Sequence, residues 1–481
     1  MLRSGFVSGA GCVVSRSRGT MTDVSSDSRT TIIPAIMPRS MPRTMTAAGR
    51  TEPVDVDALL LVSFGGPEAP SDVMPFLRNV THGRGVPDER LAQVAEQYRR
   101  LGGRSPINDQ NRALLAALRA ELAPLPVYWG NRNWSPFLVD ALRAMRRDGA
   151  RRAACFVTSA FASYSGCRQY REDLARARAQ LGPDAPELIK LRQYFDHPGF
   201  ILPMVDHVVD ELATIPAASL ARTRLVFVAH SIPLTQSADS GPDGDAYPRQ
   251  LAAAAAVIVE RVALCTGRRH SHDLVYASRS GPPSVPWLVP DVGDHLAALG
   301  SAGRTQAVVV VPIGFVSDHM EVIHDLDVMA AERARAVGLS FRRASTVGAD
   351  PRFVTMVREL LDERRYGHRP RAALSPLGPG HDVCPLWCCA PGGPGRRLPA
   401  AAGVPADERP GQDTAGHRPD TPDSDAPDGT APGGDAPGGD APGSGPAPPE
   451  TSDGAHRDIC DVHDVGGGAT VHNDVHKVGR P

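Results

Sequence analysis

Hydrophobic positions between residues 57 and 372 follow two rhythms. Short apolar runs have the length and β-branched content of buried strands: Ala58 to Phe64 (ALLLVSF), Pro126 to Trp129, Arg152 to Ser159, Leu188 to Tyr194, Leu225 to Ala229, Leu274 to Ser278 and Ala307 to Phe315. Between them lie stretches of helical period: Asn108 to Leu122, Pro136 to Arg147, Gln169 to Leu181, Gly199 to Ala213, Pro248 to Ala263, Asp291 to Leu299 and Pro351 to Arg364. Ser135-Pro136 and Ser105-Pro106 each read as an N-cap followed by proline at the first helical position. Repeated β-α alternation predicts an α/β fold with parallel sheets covered by helices on both faces. The alternation falls into two series, with the second opening at Leu188, so two similar lobes and a cleft between them are expected.

Parallel sheets bind ligands beyond the carboxyl ends of their strands. Two strand ends here carry chemistry. Leu225 to Pro233 (LVFVAHSIP) delivers His230, and the run from Ala307 stops at Ser317-Asp318-His319-Met320-Glu321, where a helical pattern takes over. His230 with Glu321 makes a mixed nitrogen and oxygen pair suited to a divalent metal such as iron(II), and able to pass protons near neutral pH. Asp318-x-x-Glu321 also fits a capping box, with Asp318 as N-cap and Glu321 at N3. Glu321, His324 and Asp325 share a helix face, a polar stripe able to pass iron or protons.

Composition narrows the picture. The chain has 481 residues and a formal net charge of −2, so it offers no electrostatic case for nucleic acid. No apolar run is long enough to span a bilayer, and a cytoplasmic protein is expected. Residues 1–56 read as a disordered N-terminal extension, and 393–481, which include APGGDAPGGDAPG, as a disordered Pro/Gly/Asp-rich tail. The folded part divides into 57–187, 188–372 with a C-terminal helix, and a Cys-rich segment at 373–392. Eight cysteines in this length, without a clear secretory signal, argue against a disulfide framework. Cys384-x-x-x-Cys388-Cys389 with Cys167 makes four thiols, a set that suits a [2Fe–2S] cluster or zinc; Cys155 is the alternative fourth member.

The segments at 60–68 (LLVSFGGPE), 101–108 (LGGRSPIN), 128–137 (YWGNRNWSPF), 158–170 (TSAFASYSGCRQY), 227–233 (FVAHSIP), 278–292 (SRSGPPSVPWLVPDV) and 311–327 (VPIGFVSDHMEVIHDLD) together resemble the ferrochelatase family, in family order and with an actinobacterial flavour. The resemblance implies two Rossmann-like lobes with parallel four-stranded sheets, acting as a monomer. It implies insertion of Fe(II), as substrate, into a porphyrin: coproporphyrin III, with protoporphyrin IX as the nearer alternative. It carries His230 and Glu321 over as the catalytic and iron-site pair, and Ser105, Tyr170, Arg84 and Tyr98 as porphyrin contacts. It favours the [2Fe–2S] cluster on Cys167, Cys384, Cys388 and Cys389. It also marks one departure. Some coproporphyrin-using relatives have a tyrosine able to ligate product iron at the position of Phe64, which has no donor. A reading of a different class remains beside it, a haem-binding or redox-sensing protein on the same scaffold.

Overall fold

Every apolar run forms a strand in the computed structural model, which describes residues 53–391 and 400 apart from Arg84, Pro282, Pro283, His368, Arg369 and Leu386. These residues belong to one compact unit, Met1–Asp413; the second unit, Thr414–Pro481, lies outside the described residues, as do the N-terminal 52 residues and almost all of the expected tail.

The first half runs β1 (Ala58–Ser63), α1 (Val73–Val80), α2 (Asp88–Arg100), α3 (Ile107–Leu122), β2 (Val127–Asn131), α4 (Leu138–Arg147), β3 (Arg152–Val157), a π-helical turn (Tyr164–Arg168), α5 (Gln169–Leu181) and β4 (Glu187–Lys190). The second runs α6 (Pro198–Ala213), α7 (Ala217–Leu220), β5 (Thr223–His230), α8 (Leu234–Ala238), α9 (Ala246–Thr266), β6 (Ser271–Ala277), α10 (Val292–Ser301) and β7 (Ala307–Val311). A helix in three pieces follows: α11 (Met320–Val322), a π segment (Ile323–Ala330) and α12 (Ala331–Ala336). Strand β8 (Ser340–Arg343) and α13 (Pro351–Tyr366) complete it. Two four-stranded sheets result, ordered β2-β1-β3-β4 and β6-β5-β7-β8, and every pairing is parallel.

Three expectations are corrected. The run at Leu188, taken as the opening of the second series, pairs with β3 and closes the first sheet, so the expected division at 187/188 falls inside β4. Strand β8 was not anticipated. Its sequence SFRR is half-exposed at an edge and lacks an apolar face, so only its ladder with β7 defines it. Neither serine caps its helix: α3 follows Pro106 and α4 follows Phe137, whose N–H donates to Asp140 Oδ2 at 3.3 Å.

Strand alternation sorts the core. Leu59 and Leu61 of β1, Leu225, Phe227 and Ala229 of β5, and Ala307, Val309 and Val311 of β7 face one shared core with α3, α6, α9 and α13. The alternate residues, Leu60 and Val62 or Val226 and Val228, face outer layers built on α4 and α5 or on α10 and α12. Both faces of each sheet are therefore buried, which explains why these strands read as unbroken apolar runs.

Helix α6 begins with a titratable cap. His197 is 1 % exposed, and its Nδ1 accepts the Gly199 N–H at 3.1 Å, so the imidazole must be neutral to cap. Burial, with Arg192 nearby, pushes its pKa down to about 4. The unfolded state then binds more protons than the native state between about pH 6.5 and 4, so stability is lost as pH drops through that window, by up to about 3 kcal/mol. Urea titrations at stepped pH are expected to show this loss. They are expected to show it diminished in His197→Asn, which can cap without titrating.

Candidate active site

His230 is the last residue of β5, and its half-exposed side chain points beyond the strand end. Its Nδ1 lies 2.5 Å from the Ser231 carbonyl oxygen. A carbonyl only accepts, so Nδ1 donates there, and in the neutral imidazole the lone pair sits on Nε2. Tyr247 Oη donates to the His230 carbonyl at 2.9 Å and fixes the backbone behind it. Nε2 faces Glu321 Oε2 at 3.7 Å, and Glu321 is about half exposed.

The geometry that frees Glu321 differs from the capping box expected there. The N-cap of α11 is His319, with no side-chain cap, which leaves Glu321 at the second helical position. Asp318 is occupied elsewhere. Its Oδ1 accepts from Arg343 Nη1 at 3.1 Å and Thr346 Oγ1 at 3.3 Å, and its N–H donates to Gln110 Oε1 of α3 at 3.0 Å. Glu321 is thus available to the cleft. Gly314 permits the approach, because a Cβ there would stand 2.7 Å from Ala229 Cα, where the chain leaving β7 crosses the end of β5.

Around the pair, His324 Nδ1 lies 3.0 Å from Asp325 Oδ1, and the Ser278 hydroxyl donates to Asp325 Oδ2. Ser278 follows β6 with φ +62°, a left-handed conformation that directs its short side chain to the carboxylate. His319 is partly buried, and desolvation, with His230 nearby, lowers its pKa against the pull of Glu321. Tyr98 packs with Phe76 and Met320; burial raises its pKa strongly, and Glu321 and Asp325 add to the rise, so it stays a neutral phenol beside them.

The other expected contacts are placed differently. Ser105 is 3 % exposed and packs against Gly66. Tyr170 is buried under the Arg132 guanidinium, 4.8 Å from its ring; the same guanidinium lies 5.6 Å from the Phe64 ring and pairs with Asp173 at 2.8 Å. Arg84 lies outside the described residues. Sequence reading missed Ser278, Gln110, Arg343 and Arg132, because each acts through a contact distant in the chain.

The four expected cysteines converge, although their segments are more than 200 residues apart. The thiol of Cys167 lies beside those of Cys384 and Cys389. Cys388 Sγ is 3.8 Å from Cys389 Sγ, and its thiol also adjoins Cys384. Cys389 has φ +56°, which turns two consecutive side chains to one side. Its Sγ accepts the Gly241 N–H at 3.2 Å. Contact with Cys167 and Cys388, helped by Arg171 and Lys190, holds the Cys384 thiol well below its ordinary pKa despite burial. Cys155 sits apart, inside β3 against α4 and α5, and burial pushes it up to about 12. A cavity of about 390 Å³ lies elsewhere, against His272, Asp273 and His295 at the opposite end of β6 from His230.

Fold and site together define a two-sheet α/β enzyme with a histidine-carboxylate pair at the strand ends. The family model described as Ferrochelatase matches residues 56–365, and the chain belongs to that family. It is 64 % identical over 338 residues to a coproporphyrin III ferrochelatase of Frankia alni, covering 70 % of this chain and 87 % of that one. It is 54 % identical over 369 residues to the coproporphyrin III ferrochelatase of Streptomyces griseus, covering 73 % and 97 %. Among solved structures, SirB from Bacillus subtilis with Fe3+ aligns with TM-score 0.40 at 11 % identity, covering 64 % of this chain and 96 % of that one. No helix among the described residues is long and apolar enough to cross a membrane.

Proposed function

We propose that this chain inserts Fe(II) into coproporphyrin III, giving iron-coproporphyrin III and two protons. The observation that carries the reading is His230 Nε2 facing Glu321 Oε2 across 3.7 Å at the mouth of parallel strands, with Nδ1 turned to the Ser231 carbonyl. High identity to relatives bearing that activity in their names supports the choice of porphyrin.

Two pyrrole N–H protons must leave as iron enters. His230 Nε2, which bears the lone pair of the neutral imidazole, is one acceptor, and Glu321 supplies a second base and negative charge toward the cation. The Glu321, His324, Asp325 and Ser278 chain offers protons and metal a polar route along the helix. Both groups of the pair come from one chain, which supports a monomer, working in the cytoplasm.

The thiol ring fits a [2Fe–2S] cluster: four convergent cysteines, three buried on one segment and one on the body, with the cations of Arg171 and Lys190 nearby. Cys167, Cys384, Cys388 and Cys389 would hold it. When bound it supplies a one-electron centre and a tie between the C-terminal segment and the body.

Full-length protein purified without oxygen, mixed with iron(II) and either porphyrin, is expected to convert coproporphyrin III faster than protoporphyrin IX, read from the Soret and visible bands. Preference for protoporphyrin IX would keep the chemistry and reassign the substrate. Binding of ready-made metalloporphyrin without insertion into either would establish a carrier instead.

A further inference from the structure

The C-terminal segment carries one donor more than a two-iron cluster uses. His381 Nε2 lies 3.3 Å from Cys384 Sγ and 3.8 Å from Cys388 Sγ. The donor atoms of His381, Cys384 and Cys388 all lie within 4.8 Å of one another. Tetrahedral zinc sites, with zinc–sulfur bonds of about 2.3 Å and zinc–nitrogen bonds of about 2.0 Å, place neighbouring donors roughly 3.5–3.8 Å apart. The separations here, 3.3 and 3.8 Å from the imidazole to the two sulfurs, are of that size.

We propose that His381, Cys384 and Cys388 form a second mode of the thiol site, a mononuclear centre for one thiophilic divalent cation of the zinc class, with the fourth position left to water or to the neighbouring Cys389. The proposal goes beyond the chelatase reading and does not depend on it. All three ligands come from eight consecutive residues, so the centre closes locally and leaves Cys167 out, whereas the cluster needs Cys167 and leaves His381 out. Binding displaces the thiol protons and transfers no electron. The consequence is that the cation and the cluster exclude each other, and that the C-terminal segment can be ordered without sulfide.

The test pairs two substitutions that part the two modes. Full-length protein freed of cluster and kept reduced is titrated with Co(II), whose tetrahedral thiolate complexes give strong ligand-field bands and sulfur-to-metal charge transfer. One equivalent is expected to bind in the wild-type chain and in Cys167→Ser. His381→Ala is expected to weaken binding at least tenfold and to alter the bands. Iron and acid-labile sulfide, measured on separately assembled protein, are expected to show the reverse, with the cluster lost in Cys167→Ser and kept in His381→Ala. A Co(II) spectrum and affinity unchanged by His381→Ala, with circular dichroism like the wild type, would overturn the proposal. Failure of wild-type protein to assemble any cluster would sink the cluster reading alone. Cobalt held at His230 and Glu321 gives no sulfur charge transfer, so the two sites are told apart.

Discussion

Replacing His230 by alanine is expected to lower kcat for iron insertion by about a thousandfold, in the range of removing a positioned proton acceptor. The porphyrin affinity, followed by fluorescence quenching, is expected to stay close to that of the wild type. The reason is local. Nδ1 is committed to the Ser231 carbonyl, so the lone pair at Nε2 is the only one the imidazole offers, and alanine leaves Glu321 as a lone base. Glu321 is about half exposed and water can reach it, so some turnover should survive through the carboxylate. An effect mainly on KM would instead mean that His230 holds the porphyrin rather than its protons. Turnover at the wild-type rate would remove His230 from the mechanism altogether.

The second large effect is expected far from the cleft. Glu363, in α13, accepts from Arg192 Nε at 2.6 Å and Arg192 Nη2 at 2.9 Å, and from Arg371 Nε at 3.2 Å. The side chain of Arg192 is 1 % exposed and that of Glu363 is 9 % exposed. Burial acts to raise the Glu363 pKa, and the two guanidiniums overcome it, so the carboxylate stays charged in the folded state. Glu363→Ala strands two buried cations and is expected to cost about 3–5 kcal/mol, measured by urea unfolding. Because Arg371 goes on to Asp382 at 2.6 Å and the Gly380 carbonyl at 2.8 Å, loss of Glu363 should also loosen the segment that carries Cys384. Diminished cluster content at pH 7, in protein still folded, is the companion readout. A change of stability below about 1 kcal/mol would show that the network is replaceable by water.

How much of this was legible in the sequence depends on the range of the interaction. Buried parallel strands announce themselves, because both faces must be apolar: ALLLVSF was placed to within a residue of β1, and the run from Ala307 to Phe315 begins with β7 but overshoots its end at Val311. Helix α5 was bounded correctly at Gln169 and Leu181 by its own periodicity. The residues of the proposed pair could be singled out for a related reason, since each is a polar side chain that interrupts an apolar run at a strand end. Edge strand β8 escaped because its register comes from β7 and not from its own pattern.

The role of Glu321 shows the limit most clearly. Asp318-x-x-Glu321 satisfies the local rule for a capping box, yet Arg343, Thr346 and Gln110, none of them local, take up Asp318 and shift the helix start by one residue. Local hydrogen bonding offered one arrangement, and three distant partners outweighed it. The thiols behave alike. The sequence supplied the four cysteines, but Cys155 stayed an alternative to Cys167 until the fold put one inside β3 and the other against the C-terminal segment. The sequence by itself therefore determined the buried strands, most of the helices and which residues are candidates for chemistry, because these follow from side-chain periodicity and donor type. Only the tertiary structure decided which donors meet, since that is set by contacts across up to some two hundred residues that no local pattern encodes.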